Sequence, residues 1–402
     1  MASHVAVAAE TRMDLSFDPA APEASAAAIV RAMVPSFAAL AELRVSRVLG
    51  GATNVLYRVE RAAPRADAAA PDPVLLRCFG AEGLIDRDAE TAAFAALAAD
   101  GIAPPYHGRF ANGRLEGWLV GFEPLAPAEL ADAGVSRACA AALARLHAFE
   151  PPPAALPGGG SRDSNLWPQL RSWLDGARGA RAPIAARDGA APRLALYDAL
   201  ARRWAALSID ALEARVAARA PPPAVVFAHN DALAGNILVQ RAAAPAEGGA
   251  PGGTTPGGAV ERCALVDFEY GGMNYLGFDL ANHLCEWIGG TERADMDPSL
   301  ERFPDAAQRR AFVAAYLEAA ARARARGASA AAAAPPAEAE IDALLGEVDE
   351  FVVVDHLFWG LWAVNQEASE GCAEHDYLHY ATVRLGEFWR LEDARAAPTS
   401  GT

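Results

Sequence analysis

Short apolar runs broken by glycines and prolines fill the first third of the chain, and longer helical patterns fill the rest. Arg47-Val48-Leu49 and Val55-Leu56-Tyr57-Arg58-Val59 flank Gly50-Gly51-Ala52-Thr53-Asn54, which predicts strand–turn–strand. Pro73-Val74-Leu75-Leu76-Arg77-Cys78-Phe79 predicts a further strand, and residues 115–120 another. Residues 86–99 predict a helix, with Ala89, Ala93 and Leu97 on one face and acids near its start. From about residue 128 the pattern is mainly helical, over 136–149, 165–175, 194–218, 305–325, 338–366 and 374–391. Three β-type apolar runs interrupt these helices: Val225-Val226-Phe227, Ile237-Leu238-Val239 and Ala264-Leu265-Val266. A small β-rich front part and a large helical back part predict an α+β chain of bilobal outline.

Alanine, proline and glycine bias marks the stretches between these elements. Residues 1–28 are Ala-rich without periodicity and predict a disordered leader. Residues 61–73, 151–160 and 319–336 read as connectors. Residues 241–260, with three Gly-Gly steps and three prolines, cannot continue a strand. They lie where a hairpin turn would sit, so an expanded, flexible loop is expected there.

Composition narrows the functional classes. The 402 residues are 52% hydrophobic, enough for two ordinary domains or one bilobal one. Net charge is −16, which argues against a broad basic surface and hence against nucleic acid as a partner. A cationic small substrate is compatible with that balance. The five cysteines, Cys78, Cys139, Cys263, Cys285 and Cys372, are scattered without a C-x-x-C spacing and read as reduced thiols. No apolar run approaches the roughly 20 residues that span a bilayer. Residues 1–10 lack the basic start and apolar core of a secretory signal, so a cytoplasmic location is expected.

The chemistry concentrates in two segments. Residues 229–236 read His229-Asn230-Asp231-Ala232-Leu233-Ala234-Gly235-Asn236, and Asp267 follows in Leu265-Val266-Asp267-Phe268-Glu269-Tyr270. Either segment alone is compatible with turn chemistry. Together, in this order and each tied to an apolar strand, they match the two carboxylates of phosphoryl transfer. One carboxylate takes the proton of an attacking hydroxyl, while an asparagine five residues on and a second carboxylate hold magnesium. Asp231 has the first role, and Asn236 and Asp267 the second. Upstream, Gly50-Gly51-x-Thr53-Asn54 would let backbone amides approach phosphates. Arg77, mid-strand among apolar residues, needs a partner, and Glu90 on the next helix is the expected one.

The same segments carry a more specific resemblance. Residues 50–59, 74–80, 84–90, 229–238, 266–287 and 356–362 resemble the choline/ethanolamine kinase family, in the family's order, over about 45–390. The run Asp-Phe-Glu-Tyr-Gly-Gly-x-Asn-Tyr at 267–275 and Phe-Trp-Gly-Leu-Trp at 358–362 are its most specific parts. The resemblance implies a protein-kinase-like bilobal fold with a small β-rich N-lobe and a large, mainly helical C-lobe. After the leader, residues 29–123 would form the nucleotide-binding lobe and 124–402 the catalytic and substrate-binding lobe. It also implies ATP and Mg2+ as cofactors and a small amino-alcohol as substrate. By carry-over, Asp231 is the base, Asn236 and Asp267 are metal ligands with Glu269 in support, and Arg77 with Glu90 serves the phosphates beside Gly50, Gly51, Thr53 and Asn54. Asp279 would brace the catalytic loop.

The substrate end should recognise an ammonium through Glu286, Trp359, Trp362 and Tyr380. Residues three apart share a helix face, so both indoles can wall one pocket, and a cation over an indole gains roughly 0.5–2 kcal/mol. Ile288-Gly289-Gly290-Thr291 stands where choline kinases of this family usually carry an aromatic, which favours ethanolamine. Cys285-Glu286-Trp287 looks more like the choline side, so choline or both remain the alternative. An aminoglycoside-type kinase and a non-catalytic pseudokinase are the rival readings. Ala228, Ala232 and Ala234 depart from the family's usual residues without removing a catalytic group. A homodimer is compatible with all of this.

Overall fold

The computed structural model describes residues 12–48, 54–62, 73–80, 86–156, 160–242, 258–324, 334–369 and 375–396. The chain divides into two compact units. The first comprises 1–123, 149–161 and 238–270, and the second 124–148, 162–237 and 271–402.

A six-stranded sheet forms the first unit's framework. Its strands are β1 (Arg12–Met13), β2 (Leu43–Val48), β3 (Asn54–Arg61), β4 (Val74–Phe79), β5 (Tyr106–Phe110) and β6 (Gly113–Gly117). They lie in the order β1-β5-β6-β4-β3-β2, antiparallel except for the β1–β5 pair. The period of two along β4 decides what each face does. Val74, Leu76 and Cys78 pack into a core with Phe37 and with Ile29, Val30 and Met33 of the helix Pro22–Met33. Arg77 therefore points to the opposite face. In the β4–β6 register it stands beside Arg114, with Glu116 two residues further along β6. The helix Arg87–Ala99 is capped by the Asp86 carboxylate, which accepts from the amides of Asp88 and Ala89 at 3.1 Å each. That start places Glu90 in its first turn.

Two expectations change here. Residues 12–28, expected from their alanines to belong to a disordered leader, carry β1 and the start of the helix Pro22–Met33. Phe17 and Ala26 are buried in the core, the latter on the helix Pro22–Met33 beside Ile29. The strand expected over 115–120 is β6, earlier and shorter, and it pairs with the unanticipated β5. Of the 241–260 loop, residues 243–257 lie outside the described residues. Its ends do pair, with the amide of Ala242 donating to the Ala259 carbonyl at 2.9 Å.

The second unit is mainly helical. A two-stranded ribbon of β7 (Val225–Ala228) and β8 (Gly272–Tyr275) runs straight into the helix Leu276–Cys285, which is buried from Gly277 to Cys285. The long helix Glu338–Ser369 and the last helix Tyr377–Ala396 pack closely at Gly360, where a Cβ would lie 2.6 Å from Leu385 Cγ. The helix expected over 194–218 is two, Ala191–Ala201 and Ile209–Ala217. Ser208 breaks it: its hydroxyl accepts from the Ala211 amide at 3.1 Å and starts the second helix. Among the described residues, no helix is long and apolar enough to cross a membrane.

Candidate active site

In the second unit, the loop after β7 carries Asp231. Asn230 holds a left-handed backbone angle, φ +64°, at a position where a non-glycine residue needs outside support. The helix Leu276–Cys285 supplies it. Asp279 accepts from the His229 amide at 3.0 Å and the Asn230 amide at 2.6 Å. Asn282 accepts from the Ala232 amide at 2.9 Å, and His283 Nδ1 lies 3.0 Å from the Ala232 carbonyl. Burial lowers His283 to about 4, and a carbonyl only accepts, so the neutral ring donates from Nδ1. Asn274 Nδ2 donates to Asn230 Oδ1 at 2.7 Å. Behind this, His147 Nε2 lies 2.8 Å from Asp279 Oδ2 and its Nδ1 2.8 Å from Tyr316 Oη. Burial would push the Asp279 carboxyl up, but His147 and the charge and amide of His229 outweigh it and hold it below the usual range. Asp279 thus braces the loop directly.

On the same loop, Asn236 Nδ2 donates to Asp231 twice, to Oδ2 and to its backbone carbonyl, each at 3.0 Å. The five-residue step seen in the sequence closes into one fixed pair. The amide oxygen of Asn236 takes no part in these two bonds, so its ligand chemistry is compatible with them.

The aromatic residues singled out from the sequence also come together in this unit. Trp359 and Trp362 meet edge-to-face with ring centroids 5.3 Å apart, and Trp362 meets Tyr380 at 6.4 Å. Tyr377, which the sequence reading did not single out, adds a further ring 5.7 Å from Trp362. Glu286, expected as a counter-charge, is buried and engaged: Arg384 Nη1 donates to it at 3.4 Å and to Tyr380 Oη at 3.2 Å. Arg384 stands four residues after Tyr380 on one helix face, a spacing that was visible in the sequence but carried no motif. Burial is the main cause that pushes the Tyr380 hydroxyl well up, and the charges of Glu286, Asp355 and Asp231 add to it. Asp231 and the aromatic cluster therefore feel each other's field.

In the first unit, Asp267 also holds a left-handed angle, φ +64°. The expected Arg77–Glu90 pair is not formed. Arg77 Nε donates to Glu116 Oε1 at 2.7 Å, and Nη1 to Asp267 Oδ1 at 2.9 Å. Glu90 pairs instead with Arg114 at 2.7 Å and Arg87 at 2.8 Å. The register explains the exchange: Arg77 and Arg114 are cross-strand neighbours, and Glu116 on the same face accepts from both. Burial alone would weaken the charge on Arg77, but Asp267 and Glu116 outweigh it and keep the guanidinium protonated. Asn54 Nδ2 donates to Glu269 Oε2 at 3.0 Å. Gly50, Gly51 and Thr53 lie outside the described residues.

Asp231, Asn236 and the aromatic cluster are thus assembled in the second unit, and Arg77, Asn54, Asp267 and Glu269 in the first. Among the described residues, no group of three or more His, Cys, Asp or Glu side chains is placed to hold a metal ion. Magnesium takes hard oxygen donors and few protein ligands, keeping waters and phosphate oxygens. The amide oxygen of Asn236 and the carboxylates of Asp267 and Glu269 are of that kind. The Asp267 side chain keeps 19% exposure beside Arg77, which leaves it accessible to an ion.

Comparison with known proteins gives a consistent result. The profile of the family described as choline/ethanolamine kinase matches residues 45–389. Choline/ethanolamine kinase of Homo sapiens is 31% identical over 350 residues, covering 86% of this chain and 79% of that protein. Ethanolamine kinase 1 of Homo sapiens is 29% identical over 323 residues, covering 80% of this chain; the match spans 62% of the relative's length. Among solved structures, choline kinase from Cryptosporidium parvum superposes with a TM-score of 0.68 at 21% identity, covering 92% of this chain and 95% of that one. The fold is that of protein-kinase-like phosphotransferases.

Proposed function

This chain belongs to the choline/ethanolamine kinase family, and from that premise we propose that it transfers the γ-phosphoryl group of ATP to the hydroxyl of ethanolamine. The product would be phosphoethanolamine, and the step the first of the CDP-ethanolamine route to phosphatidylethanolamine, carried out in the cytoplasm. The observation that carries the reading is the loop of Asp231. Asn236 orients its carboxylate, Asp279, Asn282 and His283 clamp its backbone, and an aromatic cluster of ammonium-binding type lies in the same unit.

Asp231 is the base. It accepts the hydrogen bond of the substrate hydroxyl, at about 3 Å in the productive complex. It needs no raised proton affinity, because a loose transfer develops little charge on the nucleophile early. Alignment carries most of its effect, and the clamped loop supplies it. Magnesium, bound with the nucleotide, neutralises phosphate charge; Asn236, Asp267 and Glu269 are the residues that would hold it. Arg77 serves the phosphates with Asn54, and Glu116 rather than Glu90 sets its position. The nucleotide would be held by residues 29–123 and the amino-alcohol by residues 124–402.

For the ammonium, Trp359, Trp362 and Tyr380 offer ring faces, and the Tyr380 hydroxyl and Glu286 offer acceptors. Acceptors suit a primary ammonium with its three N–H groups, and the stretch Ile288-Gly289-Gly290-Thr291 in place of one carrying an aromatic favours it further. Choline is the second reading, favoured by the additional ring of Tyr377. The test is Asp231→Asn: turnover should fall by about 100-fold or more while ATP still binds. A variant of near-normal rate would remove Asp231 from the role of base.

A further inference from the structure

Two carboxylates share one guanidinium behind the aromatic cluster. Arg384 Nη1 reaches Glu286 at 3.4 Å, while Nη2 bonds Asp355 Oδ2 and lies 3.3 Å from the Asp355 carbonyl. Arg384 and Asp355 are wholly buried, and Glu286 nearly so. The groups facing this trio come from every element around it. Tyr380 lies on the last helix, His356 on the long helix, Cys285 and Asn282 precede Glu286, and Glu292 follows it. Burial and the field of Arg384 keep His356 neutral, so it supplies no balancing charge. Glu292 adds negative charge. The trio by itself is therefore one positive charge short of balance, in surroundings where an uncompensated charge is strongly disfavoured.

We infer that Arg384 is a positioning and charge-setting residue of the amino-alcohol pocket: with Glu286 and Asp355 it leaves room for one cation, a proton when the pocket is vacant and the substrate's ammonium when it is filled. This rests on the amino-alcohol reading above. The connection between acid group and pocket is Tyr380, whose hydroxyl accepts from Arg384 and whose ring faces Trp362. On binding, the proton leaves the Glu286–Asp355 pair for solvent, and no covalent bond to carbon changes. Burial, opposed by Arg384 and reinforced by Asp355, raises Glu286 to about 7, and burial pushes Asp355 in the same direction. An acid with raised proton affinity is protonated below that value. Protons then compete with the ammonium, and the competition is reciprocal. The KM for the amino-alcohol should accordingly rise as pH falls through about 7 and level off above about 8.

The experiment measures KM for ethanolamine, choline and ATP between about pH 6 and about pH 8, where both amino-alcohols stay fully charged. Calorimetric titration of whichever is turned over, in buffers of different ionisation enthalpy, counts protons released. The expected result is an amino-alcohol KM about tenfold higher at the acid end, an ATP KM changed less than about twofold, and about half a proton released near pH 7. Glu286→Gln should flatten the pH profile and raise KM at pH 8, whereas Arg384→Lys, which keeps the charge, should retain the profile. A flat KM without proton release, in an enzyme that phosphorylates either amino-alcohol, overturns the inference and leaves the substrate reading standing. No turnover of either compound at any pH overturns both. The measurements on the unmodified protein decide the matter even where a variant does not fold.

Discussion

Replacing Asp279 with asparagine isolates what one buried carboxylate does for the loop that carries Asp231. Two backbone amides converge on it, from His229 at 3.0 Å and Asn230 at 2.6 Å, with His147 at 2.8 Å. Asparagine keeps the shape but has one acceptor oxygen. Its NH2 group must then face one of the two amides, donor against donor. A buried N–H left without an acceptor costs about 1–3 kcal/mol, and loss of charge from the remaining bond costs about 1 kcal/mol more. The sum, about 2–4 kcal/mol, should lower Tm by about 5–15 °C. Asn230 sits at φ +64°, so a loosened amide there lets the backbone relax and carries Asp231 with it. A displacement of about 1 Å is worth about 100-fold in kcat. Thermal unfolding and steady-state kinetics at 25 °C read the two effects separately, and the ATP KM should change little. A variant with Tm within about 1 °C of the parent and kcat within about twofold would refute the bracing role.

Three further outcomes follow from the geometry. Trp362→Ala should raise the amino-alcohol KM by about tenfold or more, from loss of a cation–π face, and leave the ATP KM nearly unchanged; equal effects on both would make Trp362 a packing residue only. Glu116→Gln should raise the ATP KM more than Glu90→Gln does, because Glu116 holds Arg77 directly; the reverse order would restore Glu90 as its partner. Asp279, held below the usual carboxylate range, stabilises the fold at neutral pH, and that stability should be lost only as pH falls below about 4. Acid unfolding of Asp279→Asn should lack that component, and an unchanged acid limb would contradict it.

Much of this architecture was legible in the chain, and the unreadable parts have physical reasons. The Asp231–Asn236 step is local, so sequence spacing alone was enough to pair them. Trp359 and Trp362 share a helix face for the same reason. The partner of Arg77 was not legible because it depends on a cross-strand register: Glu116 lies 39 residues away, and no local pattern distinguishes it from Glu90. Arg384 was missed because a lone arginine in a helix reads as surface. Only the close helix packing at Gly360 and the buried Asp355 make it internal. The alanines of 12–28 hid an ordered segment, since alanine frequency says nothing about which positions pack. The break before Ser208 lay in a single cap that periodicity alone passes over.

The most direct measurement is ADP release by the purified protein with ATP and magnesium, comparing ethanolamine, choline and an aminoglycoside side by side, with Asp231→Asn as control. The account predicts turnover of the amino-alcohols, with kcat/KM highest for ethanolamine, and its loss in the variant. ADP release that no amino-alcohol raises above the rate with ATP alone, or that only the aminoglycoside raises, would contradict it.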